Sequence, residues 1–145
     1  MRRTLPLMAV LVLALVAGSC GGQDDAVLNV VDAWSRPATG PNGAVYLTIE
    51  AGVADTALTG VAVSSDVAAM AQIHQTVIRD DGTMGMTMIP DVKISAGSTV
   101  MMVPGGVHVM LMGLEKPLDI GNGFDVTLTF DDGTALTTTV EVRDE

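Results

Sequence analysis

The sequence predicts an all-β domain, a sandwich or barrel of short strands. Runs of five to eight residues rich in Val, Thr, Ile and Leu recur along residues 28–142. Turn signals separate them, and no long stretch repeats with the helical period. The first run, 28–34, ends at the Pro- and Gly-rich segment Arg36-Pro37-Ala38-Thr39-Gly40-Pro41-Asn42-Gly43. The second, 44–50, closes before Gly52, and the third, 58–64, leads into 65–70, which could form one helical turn. Runs 72–78 and 83–89 flank Asp80-Asp81-Gly82 and read as a hairpin. Pro90-Asp91 and Ala96-Gly97 precede run 99–103, and Pro104-Gly105-Gly106 precedes 107–112. After Gly121-Asn122-Gly123 comes 124–130, where Val126, Leu128 and Phe130 alternate with Thr127 and Thr129 as in a half-buried strand. Asp131-Asp132-Gly133 then turns the chain into 135–142. Aromatic residues make up 3%, so the core has to be aliphatic, with methionine as a filler.

The 145 residues favour one domain behind an export signal. Arg2-Arg3, an apolar run over 5–16 and Ala17-Gly18-Ser19-Cys20 have the order of a secretory signal, and the run is short for a membrane span. Small residues ending in the chain's single cysteine resemble a bacterial lipoprotein signal. Residues 1–19 are then the signal peptide, Cys20 the lipidated first residue, 20–27 a tether, and 28–143 the folded domain. Ala17 stands where such signals carry Leu or Val, which leaves an ordinary signal with a stray cysteine as the other reading. The expected location is extracytoplasmic, in the periplasm or on the outer face of the cell membrane, held by the lipid alone.

Beyond Cys20 there is no cysteine, which excludes a disulfide, a zinc-thiolate site and a blue-copper site in the mature domain. The net charge of −10 becomes −12 once Arg2 and Arg3 leave with the signal. Such acidity argues against nucleic acid and anionic membrane as partners and is compatible with cations or a basic protein. It also serves plain solubility. No nucleophile–base pair, suggestive carboxylate pair or phosphate-cradling loop is present, so the chain does not read as an enzyme.

The chemistry gathers between Met70 and Met112, which holds all eight methionines of the mature chain and both histidines, His74 and His108. Alternation puts His108, Met110 and Met112 on one face of their strand, and Met84, Met86 and Met88 on one face of theirs. Strands carrying His74, His108, Met110 and a methionine of 83–89 could meet around one ion. Two imidazoles and two thioethers select Cu(I) over the hard ions that prefer oxygen. Taken singly, each methionine fits core packing as well as ligation. The concentration of both residue types in one stretch favours a soft-metal site. The turn Pro104-Gly105-Gly106 places His108 and Met110 near a strand end, expected close to solvent. Met88 and Leu111 are expected in the core.

The segment Pro104-Gly105-Gly106-Val107-His108-Val109-Met110-Leu111-Met112-Gly113-Leu114, with Lys116-Pro117-Leu118, Trp34-Ser35-Arg36-Pro37 and Gly43-Ala44-Val45-Tyr46, resembles the PCuAC family of periplasmic copper chaperones. That family's signature is His, ten residues, Met, twenty-one residues, His-x-Met. Here twenty-one residues separate Met86 from His108, and His108-Val109-Met110 completes the pattern. Eleven residues, not ten, separate His74 from Met86, an insertion assigned to the turn 79–82; Met84 is the fallback ligand. Thr76 stands where many relatives carry a further methionine. The resemblance implies a cupredoxin-like Greek-key β-barrel with Cu(I) held by His74, Met86, His108 and Met110. It also implies delivery to the copper centre of cytochrome c oxidase, on its subunit II, directly or through a Sco-type protein. A copper buffer that sequesters without delivering needs the same ligands. An adhesion or substrate-binding β domain with a methionine-rich core is the remaining reading.

Overall fold

The computed structural model describes residues 27–144, so the signal peptide, Cys20 and nearly all of the tether lie outside the described residues. Ten strands form between them: β1 (Asn29–Ser35), β2 (Asn42–Glu50), β3 (Thr56–Val63), β4 (Ala68–Ile78), β5 (Met84–Met88), β6 (Val92–Ile94), β7 (Thr99–Met102), β8 (Val107–Leu114), β9 (Gly123–Phe130) and β10 (Ala135–Val142). The expected all-β class holds, and no helix occurs among the described residues.

Two local expectations need correction. Residues 65–67 form a turn, but 68–70 join β4, because the backbone of Ala68 and Met70 pairs with Leu114 and Met112 of β8. β6 was not expected; its three residues are too few to show alternation, and it exists by pairing with Thr56–Leu58 of β3.

Hydrogen bonding runs in the order β5-β4-β8-β2-β1-β10-β9-β3-β6, with β7 also on β2. Neighbours far apart in sequence, such as β4 beside β8 and β3 beside β9, are the Greek-key crossovers. β1 and β10 run parallel, and every other pairing is antiparallel. β3 also packs against β4, which folds the long sheet back on itself around one core.

That core is aliphatic apart from Phe130. Val45, Leu47, Ile49, Leu58, Val109, Leu111, Val126, Leu128 and Val140 are fully buried in it. Alternation explains the set: Ile73, Val109 and Val45 lie in one row across β4, β8 and β2, so all three point inward. The residues between them therefore form a row on the opposite face.

One irregularity shapes β1. The register against β2 slips between Val31 and Trp34, and Asp32 takes φ +50 in that bulge. Aspartate tolerates this left-handed conformation better than most side chains. Its carboxylate accepts a 2.8 Å hydrogen bond from Arg143 Nη2, and the guanidinium lies 5.2 Å from the centre of the Trp34 ring.

Candidate metal centre

The outward row contains the residues singled out in the sequence. On β8 these are His108, Met110 and Met112, and on β4 Met70, Gln72, His74 and Thr76. His74 stands directly opposite His108, Gln72 opposite Met110, and Met70 opposite Met112. On the far side of β4, His74 stands opposite Met88, Thr76 opposite Met86, and Ile78 opposite Met84. Directly opposite residues of an antiparallel pair share a face. The two histidines are thus side by side, with ring centroids 6.3 Å apart and planes inclined at 51°.

Each imidazole is oriented by its neighbours. His108 Nδ1 lies 3.1 Å from the Gly106 carbonyl, which also accepts the Thr76 backbone N–H at 3.1 Å. A carbonyl only accepts, so the ring proton sits on Nδ1 and Nε2 is left as a lone pair. His74 Nε2 lies 3.2 Å from Gln72 Oε1, which in the same way leaves the lone pair on Nδ1. His108 Nε2 and His74 Nδ1 are buried and have no hydrogen-bond partner. Buried polar atoms are rarely left so. Two basic nitrogens without donors, each ring fixed through its other nitrogen, are what a metal ion needs. Burial, and then the repulsion that His108 would exert were both rings protonated, push the His74 pKa below its usual value, which keeps that ring neutral near pH 7.

The expectation that His108 lies close to solvent is wrong. It is 2% exposed, although it is the second residue of β8. His74 flanks it on one side and Tyr46 on the other, the Tyr46 ring centroid being 6.2 Å away. Tyr46 in turn packs on Trp34 at 4.7 Å. Met110 is half-buried, and His74 is half-buried.

The expectation that Met88 belongs to the core is also wrong. It is 59% exposed, on the same outward face as Met86 at 55% and Met84 at 69%. Sequence parity already linked the three, but could not tell which face is inward. Met88 shares the row of His74, Met86 lies one row away, and Met84 two rows away, about 13 Å along the strand. Leu111 is fully buried, as expected. Among the described residues no group of three or more His, Cys, Asp or Glu could hold a metal.

Residues 28–142 match the family model described as "Putative lipoprotein LpqE-like". The chain belongs to this LpqE-like family. A relative named "Putative lipoprotein Lxx21020", from Leifsonia xyli subsp. xyli (strain CTCB07), is 36% identical over 124 residues, which cover 86% of this chain and 74% of that protein. Among solved structures, the apo PCuAC domain from PmoF1 superposes with a TM-score of 0.68 at 22% identity, covering 84% of this chain and 98% of that one. The solution structure of CuI-DR1885 from Deinococcus radiodurans gives a TM-score of 0.59 at 28% identity, covering 88% and 85%. The LpqE-like family is of the PCuAC type, and the chain has its cupredoxin-like β fold.

Proposed function

We propose that this protein is an exported, lipid-anchored Cu(I) carrier, with copper as its cargo. The observation that carries the reading is the facing pair His74 and His108, each presenting a buried nitrogen without a partner. The copper(I) form of DR1885 supports the choice of metal, and the donor set supports it independently: thioethers favour Cu(I), and no carboxylate joins the row. His74, His108 and Met110 are the common ligands, completed by one exposed methionine of β5. The family spacing nominates Met86, and the strand register nominates Met88. Met84 is the weakest of the three by its distance from the histidine row.

This arrangement suits a protein that binds and then releases. The β5 methionine is the most exposed ligand and His108 the least, so a partner's donor displaces β5 first and His108 last. The burial of His108, which the sequence placed close to solvent, is what puts it last. The recipient we propose is the copper centre of cytochrome c oxidase subunit II, directly or through a Sco-type protein, with no reaction catalysed by the chain itself. Export and acylation at Cys20 would hold the domain, 28–143, in the periplasm or at the outer face of the cell membrane.

A competition titration with a coloured Cu(I) chelator tests the site. One tight equivalent is expected, weakened in His74→Ala, His108→Ala and Met110→Ala; full affinity in all three variants would overturn the reading. Delivery is tested in cells. Lost oxidase activity in a deletion strain under copper limitation supports the carrier, whereas copper sensitivity alone supports the buffer.

A further inference from the structure

Two rows beyond the histidines, the same face carries a second set of soft donors. Met70 on β4 stands directly opposite Met112 on β8, and Gln72 opposite Met110 lies between that pair and the histidines. Opposed Cβ atoms in such a pair are about 5 Å apart, well within the span of two methionine side chains. Met70 is 50% exposed and Met112 half-buried, so the pair borders solvent rather than filling the core. Its other neighbour on the sheet is Asn42 of β2, opposite Met112, while small Ala44 lies opposite Met110. Met110, on the same strand and face, lies about 7 Å from both His108 and Met112. No part of the histidine site uses Met70 or Met112.

We infer that Met70 and Met112 form a second, thioether-only site for a soft monovalent cation, Cu(I) or Ag(I), with Met110 as the step between it and the histidines. The inference deepens the reading of this face as a Cu(I) surface and rests on it. Thioethers carry no proton and no charge, so the pair holds a monovalent soft ion weakly and without selecting hard cations. An ion caught there passes to Met110, which keeps contact as the histidines replace the outer sulfurs. The outer pair is thus a receiving station that loads the tighter site.

The test is a titration of the whole exported domain, labelled with ¹³C at the methionine methyls, with Ag(I), which needs no reductant. Ring signals of His74 and His108 should move with the first equivalent, and the Met70 and Met112 methyls with the second. Met101, 65% exposed on β7, serves as the internal control for unspecific thioether binding. The double variant Met70→Leu, Met112→Leu keeps an apolar cross-strand pair, so a purely packing role predicts no change. The inference expects it to lose the second equivalent and keep the first. Methyls of Met70 and Met112 that move no more than that of Met101, or a Leu variant that still binds two ions, would overturn it. Histidine signals that stay fixed while the Met70 and Met112 methyls move would sink the histidine site and leave this one standing. The double variant His74→Ala, His108→Ala should still shift both methyls; loss of that shift also overturns an independent outer site.

Discussion

At the scale of single residues, the metal centre is made by what surrounds the ligands. Gln72 and the Gly106 carbonyl each take one ring proton and so decide which nitrogen of His74 and His108 is free. Replacing Gln72 with Ala should therefore weaken Cu(I) binding roughly 10–100-fold, the usual cost of an outer-shell partner, with little change in folding; a chelator competition reads the first and a melting curve the second. Met86→Ala and Met88→Ala should both leave the melting temperature of the metal-free protein unchanged, because both side chains are exposed. The one that lowers Cu(I) affinity identifies the β5 ligand. The depressed pKa of His74 has a stability consequence. In the unfolded chain the ring takes up a proton near pH 6.5, and in the folded chain only lower. Between those values the unfolded state binds more protons, so the folded state loses stability as pH falls from about 6.5 through the lower value. Urea melts of the metal-free protein across pH 5 to 7.5 should show the loss, and His74→Gln should remove this share of it.

At the scale of elements, the division of labour between faces is what alternation in the sequence permits and what it hides. Val126, Leu128 and Phe130 announced an inward face and are buried. Leu111 lies in the same core, and Leu111→Ala should cost about 2–5 kcal/mol in a denaturant titration. His108 and Met110 could be assigned to one face from spacing alone. The pairing partner of His74 could not, because the β4–β5 register depends on the turn after Ile78. There Gly82, with φ +80, and Asp81, which accepts hydrogen bonds from the Thr83 N–H at 2.9 Å and its hydroxyl at 2.6 Å, set a length that no alternation reveals. Met88 was misread for a different reason: parity joined it to Met84 and Met86, but which side faces water depends on how β4 and β8 back onto the core. Gly113 takes φ +67, and a Cβ there would come within 3.0 Å of the Ala69 Cβ. Gly113→Ala should therefore destabilise the β4–β8 pair next to Met112, measurable as a lower melting temperature.

At the scale of the whole molecule, the sheet order places a well-anchored centre beside a free margin. β4 and β8 are flanked on both sides by other strands, while β5 closes the sheet at its edge. The histidines thus stand on strands held from both sides, and the methionines of β5 on an edge strand whose one partner is β4. Cu(I) binding should slow amide hydrogen exchange in β5 and leave β9 and β10 unchanged; uniform protection would mean that the metal acts on global stability instead. The all-β class and the location of the donor stretch were legible from composition and spacing. The burial of His108 was not, because it depends on Tyr46, which arrives from β2, more than sixty residues earlier in the chain. The stack of Arg143, Trp34, Tyr46 and His108 has one more consequence. The sole indole of the chain is coupled through a single phenol ring to an imidazole of the centre. The protein therefore carries its own optical gauge: ultraviolet-excited emission should dim as copper arrives and brighten as a recipient takes it away, so that transfer can be timed without any attached dye.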